Sequence, residues 1–170
     1  EEKKEPDLLV IMMNPGSSRP KGSKSYNEID PSWYNIKIPT VPDKTQEKIM
    51  GYMNKHGLSK ACILNLSDVC NQNSSELTKQ LITTHSNFTS KDLAVSLIKK
   101  YAPQGQRVII AWGCKTIFKQ LIENAKLALK ELGYFKAIGY NQDNDNTSTY
   151  FYHPLVRNKK WMCNLKETSL

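Results

Sequence analysis

Apolar and polar positions alternate along this chain in blocks rather than residue by residue. Leu8 to Met13, Cys62 to Leu66 and Val108 to Trp112 are apolar almost throughout, each short and bounded by turn or polar residues. Such runs suit strands covered on both faces, as in a parallel sheet, whereas a sheet with one wet face shows a two-residue alternation. Lys136 to Tyr140 and Thr149 to His153 read as two further strands. Helical patterns lie between them. Asp43 to His56 predicts a polar helix ended by Gly57. Ser90 to Tyr101 carries Leu93, Leu97 and Tyr101 at four-residue steps, with Thr89 or Ser90 as N-cap and Pro103 beyond. Cys114 to Leu132 predicts the longest helix, its apolar face made of Phe118, Leu121, Ile122, Ala125, Leu129 and Leu132, with Gly133 closing it.

Strands that alternate with helices predict an α/β fold: three layers, α/β/α, around a central, mainly parallel sheet of four to five strands joined by right-handed crossovers. Neither a repeat nor a composition break divides the chain, so residues 1–170 read as a single domain. Two segments stand outside the pattern. Residues 17–42 form a long loop rich in Pro, Ser, Lys and aromatics, a length more typical of lids and binding loops than of simple connections. Residues 141–148 form a polar, solvated loop.

Charge and cysteine content narrow the classes. With 24 Lys and Arg against 16 Asp and Glu the formal charge is +8, which permits a nucleic-acid partner without requiring one. The longest apolar runs fall far short of the roughly 18 residues of a membrane span. The first residues lack the basic-then-apolar layout of a secretory signal, so a cytoplasmic location is expected. Cys62, Cys70, Cys114 and Cys163 form no C-x-x-C pair, which argues against a zinc or iron–sulfur site; no metal and no cofactor are expected. Cys62 and Cys163 read as small buried thiols.

In an open parallel sheet, ligands bind outside the carboxyl ends of the strands. Here those ends carry Asn14-Pro15-Gly16, Asn65, Trp112-Gly113 and His153-Pro154-Leu155. Each has a plain structural reading beside a functional one. Asn-Pro-Gly is a turn former in its own right. An Asn inside an apolar strand needs hydrogen-bond partners, from protein or from ligand. Trp112 reads as core, and a single His at a strand end is often structural.

Taken together and in this order, these motifs resemble the uracil-DNA glycosylase superfamily. Leu8 to Gly16 is similar to the G-x-N-P-G motif of its mismatch-specific and single-strand-selective branches. Ile63-Leu64-Asn65 is similar to the L-L-N strand, Val108 to Gly113 to the strand ending in Trp-Gly, and His153-Pro154-Leu155 to the closing His-Pro motif. A related uncharacterised bacterial and phage family has almost the same pattern. The chain departs from better-known members after His153-Pro154, where Leu155-Val156-Arg157-Asn158 replaces the Ser-Pro of the intercalating loop.

The resemblance implies a monofunctional DNA glycosylase, expected to act as a monomer on single-stranded DNA or a flipped base. Asn14 would orient the attacking water, His153 would donate to the leaving base, and Asn65 would read its edge. In the uracil-specific branch an aromatic two residues after the catalytic acid excludes 5-substituents. Gly16 at the matching position implies room for a bulky 5-substituted pyrimidine of the kind found in phage DNA. Tyr26, Trp33 and Tyr34 are candidates for stacking on the base, by composition only. Arg157, Lys159, Lys160, Lys115, Arg19, Lys21 and Lys24 are candidates for phosphate contacts, with a solvated basic face as the plain alternative. A non-catalytic nucleic-acid or nucleotide-binding module, or hydrolysis of a free nucleoside, would use the same crevice.

Overall fold

Five consecutive apolar residues, Leu8–Met12 (β1), form a strand whose side chains are all buried, and the rest of the fold is arranged on either side of it. The computed structural model describes residues 5–15, 17–22, 39–69, 78–102, 106–141, 149–155 and 161–170. A two-residue ladder, Arg19–Pro20 (β2) with Thr40–Val41 (β3), closes the base of the long loop. Helix Lys44–Lys55 (α1) leads to Ala61–Asn65 (β4). The short helix Lys79–Thr84 (α2) and Lys91–Tyr101 (α3) precede Arg107–Ala111 (β5). A 3₁₀ turn at Thr116–Phe118 runs into Lys119–Glu131 (α4), followed by Lys136–Gly139 (β6) and Lys166–Ser169 (β7).

The sheet order is β4-β1-β5-β6-β7, parallel from β4 to β6, with β7 antiparallel to β6. Leu8, Val10 and Met12 meet Ile49 and Tyr52 of α1 on one face, while Leu9 and Ile11 meet Ile98 of α3 and Leu121, Ile122 and Ala125 of α4 on the other. This is the expected three-layer α/β/α fold. Because the chain leaves β1 toward β4 and leaves β5 toward β6, the outgoing connections diverge between β1 and β5. Their carboxyl ends border the crevice such folds use for ligands.

Four expectations are corrected. Thr149–His153 is not a ladder strand: Phe151 makes only isolated bridges to Gly113 and Asn141, and the fifth strand is β7, whose polar Lys-Glu-Thr-Ser sequence carries no apolar run. The last long helix begins at Lys119 rather than Cys114, with the 3₁₀ turn before it. On α3 the buried stripe is Ala94, Val95 and Ile98, while Leu93 and Tyr101 face solvent, because the helix presents its small and β-branched residues to α4. Cys163 is exposed and Cys62 only half-buried. Among the described residues no helix is long and apolar enough to cross a membrane.

Candidate functional site

Asn14 lies two residues beyond the end of β1 and is 6% exposed. Its carboxamide nitrogen donates to the carbonyls of Pro15 and Val69, both at 3.1 Å. Carbonyls only accept, so these two bonds fix which end of the amide is nitrogen and commit both of its hydrogens. Its other end, Oδ1, can act only as an acceptor. The β1–β4 ladder continues past the strand ends, with Leu66 N–H donating to Met12 and Ser67 N–H to Met13, so the Val69 carbonyl is held beside the Asn14 turn.

Asn65 ends β4, in register with Met12. Its Oδ1 is buried and has no hydrogen-bond partner among the described residues. A buried acceptor left without a donor costs roughly 1–3 kcal/mol, so a native protein keeps one for a reason. Asn65 borders a cavity of about 320 Å³ together with Cys62, Asp68, Asn87, Leu97 and Tyr101. Burial pushes the Asp68 carboxyl above its usual range, against the Asn87 amide, which donates to it at 3.2 Å, and the charge of His85. Asp68 was invisible as a site residue in the sequence, where it is one more acid in a polar loop.

His153 is half-buried and stands on a segment stapled across the ends of β5 and β6. Trp112 Nε1 donates to Thr149 O at 2.9 Å, Gly113 N–H donates to Phe151 O at 2.8 Å, and Phe151 packs edge-on against Trp112 at 5.9 Å. Gly113 has φ +82°, a conformation L side chains rarely adopt, and a Cβ there would stand 3.5 Å from the Met13 sulfur. The Asn14 turn and the His153 segment therefore flank the same glycine. The backbone N–H of Leu155 donates to His153 Nδ1 at 3.3 Å, which leaves the proton of the neutral ring on Nε2. Burial holds the imidazole below its usual range, partly opposed by the charge of Asp43.

Asp43, unnoticed in the sequence except as a helix start, caps α1 and accepts the Ser17 N–H at 3.1 Å. Of the residues expected at phosphates, Lys115 is half-buried just ahead of the 3₁₀ turn and Lys21 is exposed, its N–H bonded to Pro39 O at 2.8 Å. Gly16, Lys24, Tyr26, Trp33, Tyr34, Arg157, Lys159 and Lys160 and the side chain of Arg19 lie outside the described residues. Among the described residues no group of three His, Cys, Asp or Glu is placed to hold a metal ion.

A family model described as "Protein of unknown function (DUF1643)" matches residues 29–155, most of the chain. The chain belongs to the DUF1643 family. The matched segment of this DUF1643 chain holds Asn65, Trp112-Gly113 and His153-Pro154-Leu155, while Asn14 precedes it. No curated protein and no solved structure matches the chain.

Proposed function

We propose that this DUF1643 chain is a monofunctional DNA glycosylase-like enzyme, related to the uracil-DNA glycosylase superfamily. It hydrolyses the N-glycosidic bond of a flipped uracil or a bulky 5-substituted pyrimidine and leaves an abasic site. The observation that carries the reading is the Asn65 carboxamide, whose buried oxygen lacks a partner among the described residues, at the carboxyl end of β4 next to the end of β1 that Asn14 follows. A pyrimidine rotated out of its stack supplies a ring N–H for that oxygen and, beside it, a carbonyl that the amide nitrogen could also bond.

The other two side chains fit the remaining steps. Cleavage breaks the bond between C1′ and the base nitrogen, giving an oxocarbenium-like sugar and an anionic base. Water then bonds to C1′ and its proton is released, so the sugar gains a hydroxyl. Asn14 can accept a hydrogen bond from that water and aim it, although an amide is too weak a base to deprotonate it. A neutral His153 with its proton on Nε2 is a donor for a carbonyl oxygen of the departing base, a contact of the oxyanion-hole type worth about 10²–10³ in rate. With no general base of ordinary strength at Asn14, turnover is expected to be slow.

The test is incubation with oligonucleotides carrying uracil, hypoxanthine, alkylated bases or bulky 5-substituted pyrimidines, followed by hot-alkali scission at abasic sites. Asn14→Ala and Asn65→Ala should each remove the product. Binding without any scission across the panel would overturn the enzyme reading in favour of a nucleic-acid-binding module of the same fold.

A further inference from the structure

We propose that Asp43 is the positioning residue of this site, clamping the turn that carries Asn14 onto the start of α1. One oxygen, Oδ1, accepts the N–H groups of Thr45 and Gln46 at 2.9 Å each, while the Gln46 side chain returns a bond to the Asp43 N–H at 3.0 Å. That capping box would be complete with Ser, Thr or Asn at the cap. The second oxygen does something a cap does not need. Oδ2 accepts the N–H of Ser17, 26 residues earlier and three beyond Asn14.

Only an ionised carboxylate offers acceptors on both sides. Asn would cap α1 with its oxygen and turn an NH₂ toward the Ser17 N–H, donor against donor. Ser would cap with a single oxygen and reach nothing on the far side. The residue type therefore matches the double task rather than the capping task alone. The charge of the carboxylate also opposes, in part, the lowering of the His153 imidazole by burial. One side chain thus joins the Asn14 turn to the α1 N-terminus. That this arrangement serves base release rests on the glycosylase reading; the arrangement itself does not.

Asp43→Asn and Asp43→Ser both retain a capping group, so α1 is expected to form in each, as circular dichroism would report. In ¹⁵N-labelled protein, NMR follows the His153 ring titration and amide exchange at Ser17, Thr45 and Gln46. Both variants should lower the His153 midpoint and speed Ser17 exchange about tenfold or more, the scale of one charge-assisted bond. Thr45 and Gln46 should change less. Gln46→Ala, which breaks the other half of the box, should leave the His153 midpoint where it is. An unmoved His153 midpoint together with unchanged Ser17 exchange in both Asp43 variants would overturn the proposal, whatever the enzyme assay shows. If the wild type releases a base, the same variants should lower kcat at least about tenfold with little effect on KM, and an unaltered kcat would likewise overturn the positioning role. If the wild type releases none, the glycosylase reading fails and the NMR measurements still decide the role of Asp43.

Discussion

Gly113 donates its backbone N–H to the carbonyl of Phe151 at 2.8 Å, and this bond attaches the segment bearing His153 to the end of β5 although the segment belongs to no ladder. The seat beneath Phe151 is tight. Gly139, in β6, lies so close that a Cβ there would overlap the Phe151 ring and press on Ile110.

Gly139→Ala should therefore act at a distance. Overpacking of this kind costs about 1–3 kcal/mol. A fall of that size in urea-unfolding stability is expected, accompanied by a weaker His153 contribution to any base release, since Phe151 must move. Full stability in Gly139→Ala would show that the seat is looser than described.

Asn14→Ala and Asn65→Ala should separate in stability. Removing Asn14 deletes two hydrogen bonds, one of them the donor it supplies to the Val69 carbonyl, a loss of about 1–3 kcal/mol. Removing Asn65 deletes an acceptor that has no partner, so little or no loss is expected. Comparable urea midpoints for the two variants would remove the reason for reading Asn65 as a ligand group.

Acid should weaken the fold through His153. The folded protein holds this ring below its ordinary value of 6.5, so between the folded and ordinary values the unfolded chain binds more protons. Its contribution is complete above the ordinary histidine range and is lost as pH falls through the folded value. Urea midpoints measured from pH 7.5 downward should drop less steeply in His153→Gln than in the wild type.

If the crevice meets DNA, Lys115 beside the start of the α4 unit should contribute one phosphate contact. Lys115→Ala is expected to weaken binding to all oligonucleotides alike and to reduce the slope of log K against log salt by about 1. Binding by the wild type that does not vary with salt would exclude a phosphate footprint.

Much of the fold was legible where one property dominated locally. Doubly buried strands need apolar runs, and β1 and β5 have them; β4 reads the same way but lies at the sheet edge, where most of it is only half-buried. Helix ends were legible for the same reason: Asp43 and Ser90 cap through bonds to residues two or three positions on. The polar edge strand β7 was not, because its pairing with β6 depends on backbone groups and on an ion pair, Lys136 to Glu167 at 2.7 Å, across 31 residues of chain. The α3 stripe was misread because Leu93, Leu97 and Tyr101 share a face as regularly as Ala94, Val95 and Ile98 do, and only the position of α4 decides which face is covered.

By itself the sequence determined the layered α/β class, the apolar strands β1, β4 and β5, and the amides of Asn14 and Asn65 at the carboxyl ends of two of them, since these follow from local periodicity and residue type; it placed His153 at the end of a strand that does not form. Tertiary structure alone decided that the amide of Asn14 is committed to Val69, that Asn65 keeps an unpaired oxygen, that His153 carries its proton on Nε2, and that Asp43 joins Ser17 to α1. Hydrogen-bond satisfaction and desolvation depend on which groups meet in space, and the groups that meet here lie as far apart along the chain as Asn14 and Val69, 55 positions.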